Sequence, residues 1–301
     1  MRFWGLLFLL GAGWGLTQPF SKIAVSGGYR DFGLVFWQAA IGTVLLAVIL
    51  LIRGKRITWG RAQVQLAIMI ALIGTVVPNA TSYVAYVHLD SGIMSILISM
   101  VPIFALPMAL LFGNEQWRIL RLLGLLFGLA GVLMLILPGQ EAIGNVSFWY
   151  VAIALIAPML YAFEGNYVAR FGTAGLDPFE VLFGASVFGM VFSGPVALAS
   201  GAWINPLPPY ELPDLALVIS SVIHVFVYSG YVWLVRAAGA VFAVQVSYVV
   251  TLSGIFWAQI ILGEAYTGWV WGALVLVLAG VFLVQPKPGL QLAPDPEDGQ
   301  T

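Results

Sequence analysis

Cysteine is absent from this chain of 301 residues, and charged residues are scarce. The absence of cysteine excludes disulfides, thiolate metal sites and cysteine nucleophiles. Charged residues make up 8% of the sequence, whereas a typical soluble domain has roughly 25%. With 61% hydrophobic residues and a mean hydropathy of +1.00, the chain cannot be an ordinary soluble protein and is predicted to lie in a lipid bilayer. A net charge of −1 offers no basic surface, so no nucleic-acid partner is expected.

Motifs for catalysis and cofactor binding are missing as well. No GxxxxGK[ST] phosphate loop occurs, so the sequence predicts no ATP hydrolysis of its own. No HExxH motif occurs, and the two histidines, His88 just after the third apolar run and His224 near the middle of the eighth, are predicted to lie far apart in depth. We therefore expect no cofactor, no metal site and no enzymatic activity.

Ten apolar runs are present instead, and most have about the ~20 residues that a helix needs to cross a bilayer. They cover residues 3–24, 33–52, 64–87, 92–112, 119–138, 148–169, 179–199, 214–235, 241–262 and 268–285. The predicted fold class is an all-α polytopic membrane protein with ten transmembrane helices, here called spans 1 to 10.

The distribution of Lys and Arg predicts the orientation of these spans. If the N-terminus is cytoplasmic, ten of the twelve Lys and Arg residues fall on the cytoplasmic side, as the positive-inside rule requires. These ten are Arg2, Arg53, Lys55, Arg56, Arg61, Arg118, Arg121, Arg170, Arg236 and Lys287. Both termini are therefore predicted to be cytoplasmic, with residues 287–301 as a disordered tail rich in Pro, Gly and acidic residues.

An internal repeat relates the two halves of the chain. Phe3-Trp4 recurs as Phe148-Trp149, Gly42 as Gly189, and Tyr83 as Tyr231, and the offset between repeat-related residues stays between 145 and 148. This predicts two five-helix units, residues 1–139 and 140–286. Because five is odd, the second unit enters the membrane from the opposite side, which makes the repeat inverted. Inverted repeats are typical of transporters that work by alternating access. The alternative is that the duplication merely doubled a packing unit and has no role in transport.

Each half ends in a similar signature, LLFGNEQWRILRLLGLLFGLAGVLML at 110–135 and IILGEAYTGWVWGALVLVLAGVFLV at 260–284. With the five-plus-five layout, these segments resemble the EamA type of the drug/metabolite transporter superfamily. The resemblance implies a central cavity lined by spans 1, 3, 4, 6, 8 and 9, with spans 5 and 10 at the periphery. It also implies a multi-pass protein of the bacterial inner membrane that moves amino acids, other metabolites or drugs, often outward.

Polar residues in span 8 form the first candidate site. Ser221, His224, Tyr228 and Tyr231 share one face of a helix, since they follow one another at spacings of three or four. Polar groups are costly in hydrocarbon and usually face a cavity or a partner. We interpret His224, Tyr228 and Tyr231 as substrate-binding, and the alternative for His224 is a neutral packing residue bonded to a neighbouring serine or carbonyl.

Spans 1 and 3 carry similar candidates. Asn79 and Tyr83 in span 3 are predicted to bind substrate, beside Pro78, which frees a carbonyl one turn earlier. In span 1, Trp14 and Gln18 are predicted to face the same cavity. Lys22, near the outer end of span 1, is interpreted as a residue that reaches to the interface.

Spans 6 and 9 complete the candidate set. Glu164 is the only acidic residue well inside a predicted span, and it follows Tyr161, a further candidate for substrate binding. We interpret Glu164 as the carrier of a coupling proton or a contact for a substrate amine. A structural ion pair with Arg170 is the alternative. In span 9, Gln245 is predicted to bind substrate.

Other conspicuous residues are interpreted as structural. The serines of span 4, Ser91, Ser95 and Ser99, are predicted to permit close helix packing. Glu115 and Glu264 are predicted to lie at helix N-termini, where a carboxylate is favourable.

The last span of each half contains a pair of glycines four residues apart. Gly124 with Gly128 and Gly268 with Gly272 could serve internal packing or a homodimer.

These features predict a secondary transporter of a small neutral or zwitterionic metabolite. A strongly anionic substrate would need two or three buried cations, and only Lys22 is available. An intramembrane enzyme that acts on lipid-like substrates and a passive channel are the alternatives. The expected partners are a small-molecule substrate and the lipid bilayer.

Overall fold

Ten long helices make up the computed structural model of the chain, which describes residues 3–55, 59–113, 119–136, 148–238, 240–243 and 245–284. In chain order they are α1 (Trp4–Ser26), α2 (Asp31–Ile52), α3 (Arg61–His88), α4 (Ser91–Leu111), α5 (Ile119–Ile136), α6 (Phe148–Phe171), α7 (Pro178–Ala199), α8 (Leu212–Ala238), α9 (Val246–Leu262) and α10 (Gly268–Val284). A short helical turn, Ala240–Ala243, precedes α9. The ten helices correspond to the ten predicted spans in order, so the predicted fold class is confirmed.

The composition of the helices fits a membrane protein. Six of them, α2, α3, α4, α6, α7 and α8, are long and apolar enough to cross a bilayer, and α5, α9 and α10 are apolar but shorter. Large apolar side chains cover the outside of the helix array; Leu111 is 86% exposed and Phe282 is 70% exposed. Such a surface is suited to lipid rather than water. The predicted tail and Glu115 lie outside the described residues.

The helix contacts reproduce the inverted repeat. Helix α1 packs against α8 and α9, and its repeat-related helix α6 packs in the same way against α3 and α4. Helices α2 and α7 pack against each other, as do α5 and α10. The result is two bundles that each combine helices from both halves. We call α1, α8 and α9 bundle A, and α6, α3 and α4 bundle B.

We name the two ends of the helix array by their charged residues. The inner end carries Arg53, Lys55 and Arg170, and the outer end carries Lys22 and Glu264. The positive-inside rule predicts that the inner end lies in the cytoplasm.

Glycines bring α5 and α10 into backbone contact. A Cβ atom added to Gly280 would lie 2.7 Å from the carbonyl oxygen of Gly124 and 2.8 Å from the backbone nitrogen of Gly128. No side chain larger than hydrogen fits there without a shift of the helices. The sequence leaves open whether Gly124 and Gly128 serve internal packing or a homodimer. The structure shows that they serve packing within the chain.

Two helices of bundle B are irregular next to proline. In α3, residues Ala71–Val76 form a turn of π-helix that ends two residues before Pro78. In α4, the helix is interrupted at Ser99 and Met100, before Pro102. Proline has no N–H to donate, so it removes one backbone hydrogen bond from a helix. Gly74 belongs to this π-helical turn and faces Glu164 of α6.

Candidate substrate pathway between the two bundles

A hydrogen-bonded network crosses bundle B and reaches α2. The hydroxyl of Tyr161 donates to Asn79 Oδ1 at 3.0 Å, and Asn79 Nδ2 donates to Gln38 Oε1 at 3.3 Å. The hydroxyl of Tyr83 donates to the same Gln38 oxygen at 3.1 Å. Asn79 and Tyr83 are one helical turn apart and so lie on the same face of α3. The predicted site residues Tyr161, Asn79 and Tyr83 are therefore in one connected group.

Gln38 is the member of this network that the sequence interpretation missed. It lies in α2, a helix that the resemblance left out of the cavity lining. The available signal is composition: Gln38 is the single amide side chain in the run DFGLVFWQAAIGTVLLAVILLI. A half-buried amide in such a helix needs partners for its polar atoms, and the two donors from α3 supply them for its oxygen.

A second glutamine connects the two bundles. The hydroxyl of Tyr86, in α3, donates to Oε1 of Gln18, in α1, and both side chains are buried. Within the described part of the chain, neither the Gln18 nor the Gln38 NH₂ group donates to a protein acceptor. Because each amide oxygen is held by a tyrosine hydroxyl, the NH₂ group of each amide remains available as a donor.

Aromatic rings line the face of bundle A. The Trp14 ring lies 5.8 Å from the His224 ring and 6.0 Å from the Tyr231 ring, both in edge-to-face geometry. This confirms that His224 and Tyr231 share one face of α8. No hydrogen bond of the His224 side chain occurs in the described residues, so a bond to a neighbouring serine or carbonyl does not account for it. Trp14 and Tyr161 are repeat-related at an offset of 147, one in each bundle.

Glu164 lies against the π-helical turn of α3. A Cβ atom added to Gly74 would lie 2.6 Å from Cδ of Glu164, so the carboxyl group occupies the space that the glycine leaves. The hydroxyls of Tyr161 and Tyr228 are close enough to interact electrostatically with this carboxyl group. No described salt bridge includes Glu164, and Arg170 is exposed to solvent, so the ion pair considered as an alternative is not formed.

Charged side chains bracket the short connection between α3 and α4 at the outer end. Lys22 Nζ donates to the carbonyl oxygens of Tyr86 at 2.7 Å and Leu89 at 2.9 Å, at the C-terminus of α3. Glu264 accepts from the backbone N–H groups of Ser91 at 2.8 Å and Gly92 at 3.1 Å. A cation at a helix C-terminus and an anion at a helix N-terminus are both favourable.

Glu264 is therefore at a helix N-terminus as predicted, but the helix is α4 rather than α10, which follows it in the sequence. Tyr266 supports it: the Tyr266 hydroxyl donates to Glu264 Oε2 and accepts from the Gly92 N–H. Burial and the hydrogen bond to Glu264 raise the pKa of Tyr266 above its ordinary value, so the hydroxyl stays protonated and can donate.

The family follows from comparison of the whole chain with known proteins. A model described as the EamA-like transporter family matches residues 3–137 and, a second time, residues 148–285. The chain belongs to this family. The two matches correspond to the two halves of the inverted repeat, and the protein is accordingly a multi-pass transporter of the inner membrane.

Relatives of this EamA-like transporter are also named as transporters. The "Uncharacterized inner membrane transporter YedA" of Escherichia coli strain K12 is 28% identical, with 94% of this chain and 93% of the relative covered. An "Uncharacterized transporter" of Archaeoglobus fulgidus is 24% identical, covering 95% and 100%. The "Probable terminal-alkyne amino-acid exporter" of Streptantibioticus cattleyicolor is 27% identical over 65% of this chain and 68% of that protein.

A solved structure, titled "Crystal structure of protein", shares the fold. It has a TM-score of 0.60 and 16% sequence identity, and the match covers 92% of this chain and 94% of that one. At this level of identity the similarity concerns the fold alone.

One sequence-based candidate, Gln245, stands apart from the connected groups in this EamA-like transporter. Gln245 lies at the N-terminus of α9, at the inner end, and no described hydrogen bond joins its side chain to the other candidates. The serines of α4 are packing residues, as predicted: Ser91 and Ser95 are buried, and a Cβ atom added to Gly254 of α9 would lie 2.9 Å from Ser95 Cβ.

The arrangement can therefore offer a small molecule three kinds of contact. Amide NH₂ groups of Gln18 and Gln38 can donate hydrogen bonds, the carboxyl group of Glu164 can accept them, and aromatic faces can contact an apolar part.

Proposed function

We propose that this transporter moves a small zwitterionic or neutral metabolite, an amino acid or a similar compound, outward across the membrane by alternating access. The observation that carries the proposal is the pairing of two donor amides with one carboxyl group in a pathway lined by tyrosine, tryptophan and histidine. An α-amino acid presents the matching set, with a carboxylate, an ammonium group and a side chain.

The donor amides are suited to the carboxylate. A carboxylate accepts hydrogen bonds only, and the Gln18 and Gln38 oxygens are already held by tyrosine hydroxyls. Neutral donors bind a carboxylate without adding a buried charge that must be desolvated. A phosphate, with its higher charge, would favour Arg or Lys.

Glu164 is suited to the ammonium group or to a coupling proton. It lies in the inner third of α6 without a cationic partner among the described residues, and an uncompensated charge within a membrane helix is costly. A substrate ammonium group or a proton would remove that cost. In the first case Glu164 orients the substrate, and in the second it links transport to the proton gradient.

The remaining candidates surround these groups. Trp14, His224, Tyr228 and Tyr231 on bundle A would contact the substrate side chain. Asn79, Tyr83 and Tyr161 on bundle B would hold the Gln38 amide in place. Gln245 would contact substrate on its way from the inner end. The same relatives that support transport include one named as an amino-acid exporter, which supports this substrate class and the outward direction.

The experiment is uptake into liposomes that contain the pure protein, with a panel of labelled amino acids and with or without a pH gradient. For the accepted substrate, Gln38→Leu should lower the apparent affinity about tenfold or more, which corresponds to the loss of about one hydrogen bond to a charged group. The matched control is Gln259→Leu, since Gln259 is an exposed glutamine of α9 and its replacement should leave uptake unchanged.

Each result has a defined meaning. Saturable uptake that is reduced in Gln38→Leu and His224→Ala supports the proposal. Uptake equal to that of empty liposomes for every amino acid would contradict the substrate class. Equal uptake by Gln38→Leu and the control would contradict the assigned role of the amide.

A further inference from the structure

The two bundles make different contacts at their two ends, although the repeat makes the helices equivalent. Helix α1 of bundle A contacts α3 and α4 of bundle B. The repeat-related contacts would join α6 to α8 and α9. Across the described residues, α6 makes no comparable contact with either helix.

The contacts that join the bundles are concentrated in the outer half. Gln18 of α1 accepts from Tyr86 of α3, and Lys22 bonds to the C-terminal carbonyls of α3. Helix α9 packs against Ser91–Ile98, the outer part of α4, and has no comparable contact with the inner part, Val101–Leu111, in the described chain. The bundles are therefore closed at the outer end and separated at the inner end.

Repeat symmetry places a cation, Arg170, next to the counterpart of Lys22. At the offset of 147 that relates Trp14 to Tyr161 in the same two helices, Lys22 of α1 corresponds to Ala169 of α6, and Arg170 is the cation next to that position. The corresponding acceptors are the carbonyl groups at the C-terminus of α8, around Ala237. The last carbonyls of a helix have no partner within the helix. Arg170 is exposed, and the described structure contains no hydrogen bond or ion pair of its side chain.

We propose that Arg170 is the inner gate residue: in the outward-open state it bonds to the C-terminal carbonyls of α8, as Lys22 bonds to those of α3 in this inward-open state. The inference rests on the proposed alternating access. An inverted repeat can exchange the conformations of its halves, so a contact made by the first half in one state is made by the second half in the other. Lys22 and Arg170 then favour opposite states.

The test is the distance between spin labels at each end, because the native chain has no cysteine and introduced cysteines can be labelled selectively. The outer pair is Ser26→Cys with Val87→Cys, and the inner pair is Ala169→Cys with Ala237→Cys; all four positions are exposed. Distances are measured by double electron–electron resonance on the protein in liposomes, without substrate.

Lys22→Gln should lengthen the outer distance and shorten the inner one, with a change of about tenfold in the population ratio, as expected for the loss of hydrogen bonds to a charged group. Adding Arg170→Gln to Lys22→Gln should return much of the population to the inward-open state. Adding Arg170→Lys, which keeps a cation, should not. Arg61→Gln, which removes an exposed inner-end cation, is the matched control.

Opposite shifts by the Lys22 and Arg170 variants support the inference, because a merely structural role would not reverse the effect of Lys22→Gln. The inference is wrong if Lys22→Gln with Arg170→Gln gives the same distances as Lys22→Gln with Arg61→Gln. It is also wrong if Lys22→Gln leaves both distances unchanged. Since no substrate is present, these outcomes are independent of the uptake assay and of the substrate class.

Discussion

Arg53 and Asp177 form a salt bridge of 3.0 Å at the inner end of α2 and α7. At the outer end of the same two helices, Arg30 Nη1 donates to the carbonyl oxygen of Ser200 at 3.2 Å. The two contacts are repeat-related, since Arg30 corresponds to Asp177 and Arg53 to Ser200 at an offset of 147. Helices α2 and α7 are therefore joined at both ends, whereas among the described residues the contacts between the two bundles are concentrated at the outer end.

The first prediction concerns the pH dependence of this contact. Asp177 caps α7 by accepting from the N–H groups of Phe179 and Glu180. Partial burial raises the pKa of Asp177, but these hydrogen bonds and the Arg53 guanidinium outweigh it and hold the pKa below its usual value. The stability that the carboxylate contributes is present above its unfolded pKa, about 4, and is lost as the pH falls through the lower folded pKa.

Asp177→Ala should therefore lower the free energy of unfolding by about 1–2 kcal/mol at neutral pH, because it removes the cap and the ion pair. Asp177→Asn keeps a capping side chain and should cost about 0.5–1 kcal/mol. Thermal unfolding in detergent at pH 7 and pH 3 measures both. The difference between wild type and Asp177→Asn should shrink at pH 3. Asp31→Asn, in the first turn of α2, is the control; an equal effect there would contradict a specific role for Asp177.

The second prediction concerns the space beside Gly74. In Gly74→Ala the new Cβ atom would overlap the Glu164 carboxyl group. The carboxyl group would have to move aside, and it can do so because it is the end of a flexible side chain. We expect uptake to fall as in Glu164→Gln, with little loss of stability. Gly165→Ala is the control, since no atom lies within 4 Å of its added Cβ. Normal uptake by Gly74→Ala would show that the position of the carboxyl group is not important for transport.

The third prediction concerns the contact between α5 and α10. Gly280→Ala places a methyl group against backbone atoms of Gly124 and Gly128, which cannot rotate away, so the two helices must separate. Overpacking of this kind costs about 1–3 kcal/mol. Gly272→Ala is the matched control, because its Cβ would meet only the flexible end of Met134, at 2.8 Å from Cε. Unfolding midpoints in detergent should fall for Gly280→Ala only; equal midpoints would contradict tight packing at Gly280.

Much of the site could be predicted from single helices. His224 and Tyr231, and likewise Asn79 and Tyr83, have the predicted common faces because helical spacing is a local property. Gln38 was missed because nothing in α2 itself indicates that two donors of α3, the Tyr83 hydroxyl and the Asn79 amide, lie opposite it. Its partner Asn79 is 41 residues away in the sequence.

The sequence by itself determined which residues lie in the membrane, their predicted orientation and the inverted repeat, because hydrophobic length, charge distribution and duplication are properties of the chain. The tertiary structure decided how each helix is rotated and which end of the bundles is closed. Rotation depends on packing between helices that are distant in the sequence: Glu264 bonds to Ser91 across 173 residues. The tertiary structure also decided the contacts of the end cations: Lys22 bonds to the C-terminal carbonyls of α3, whereas Arg170 is exposed to solvent.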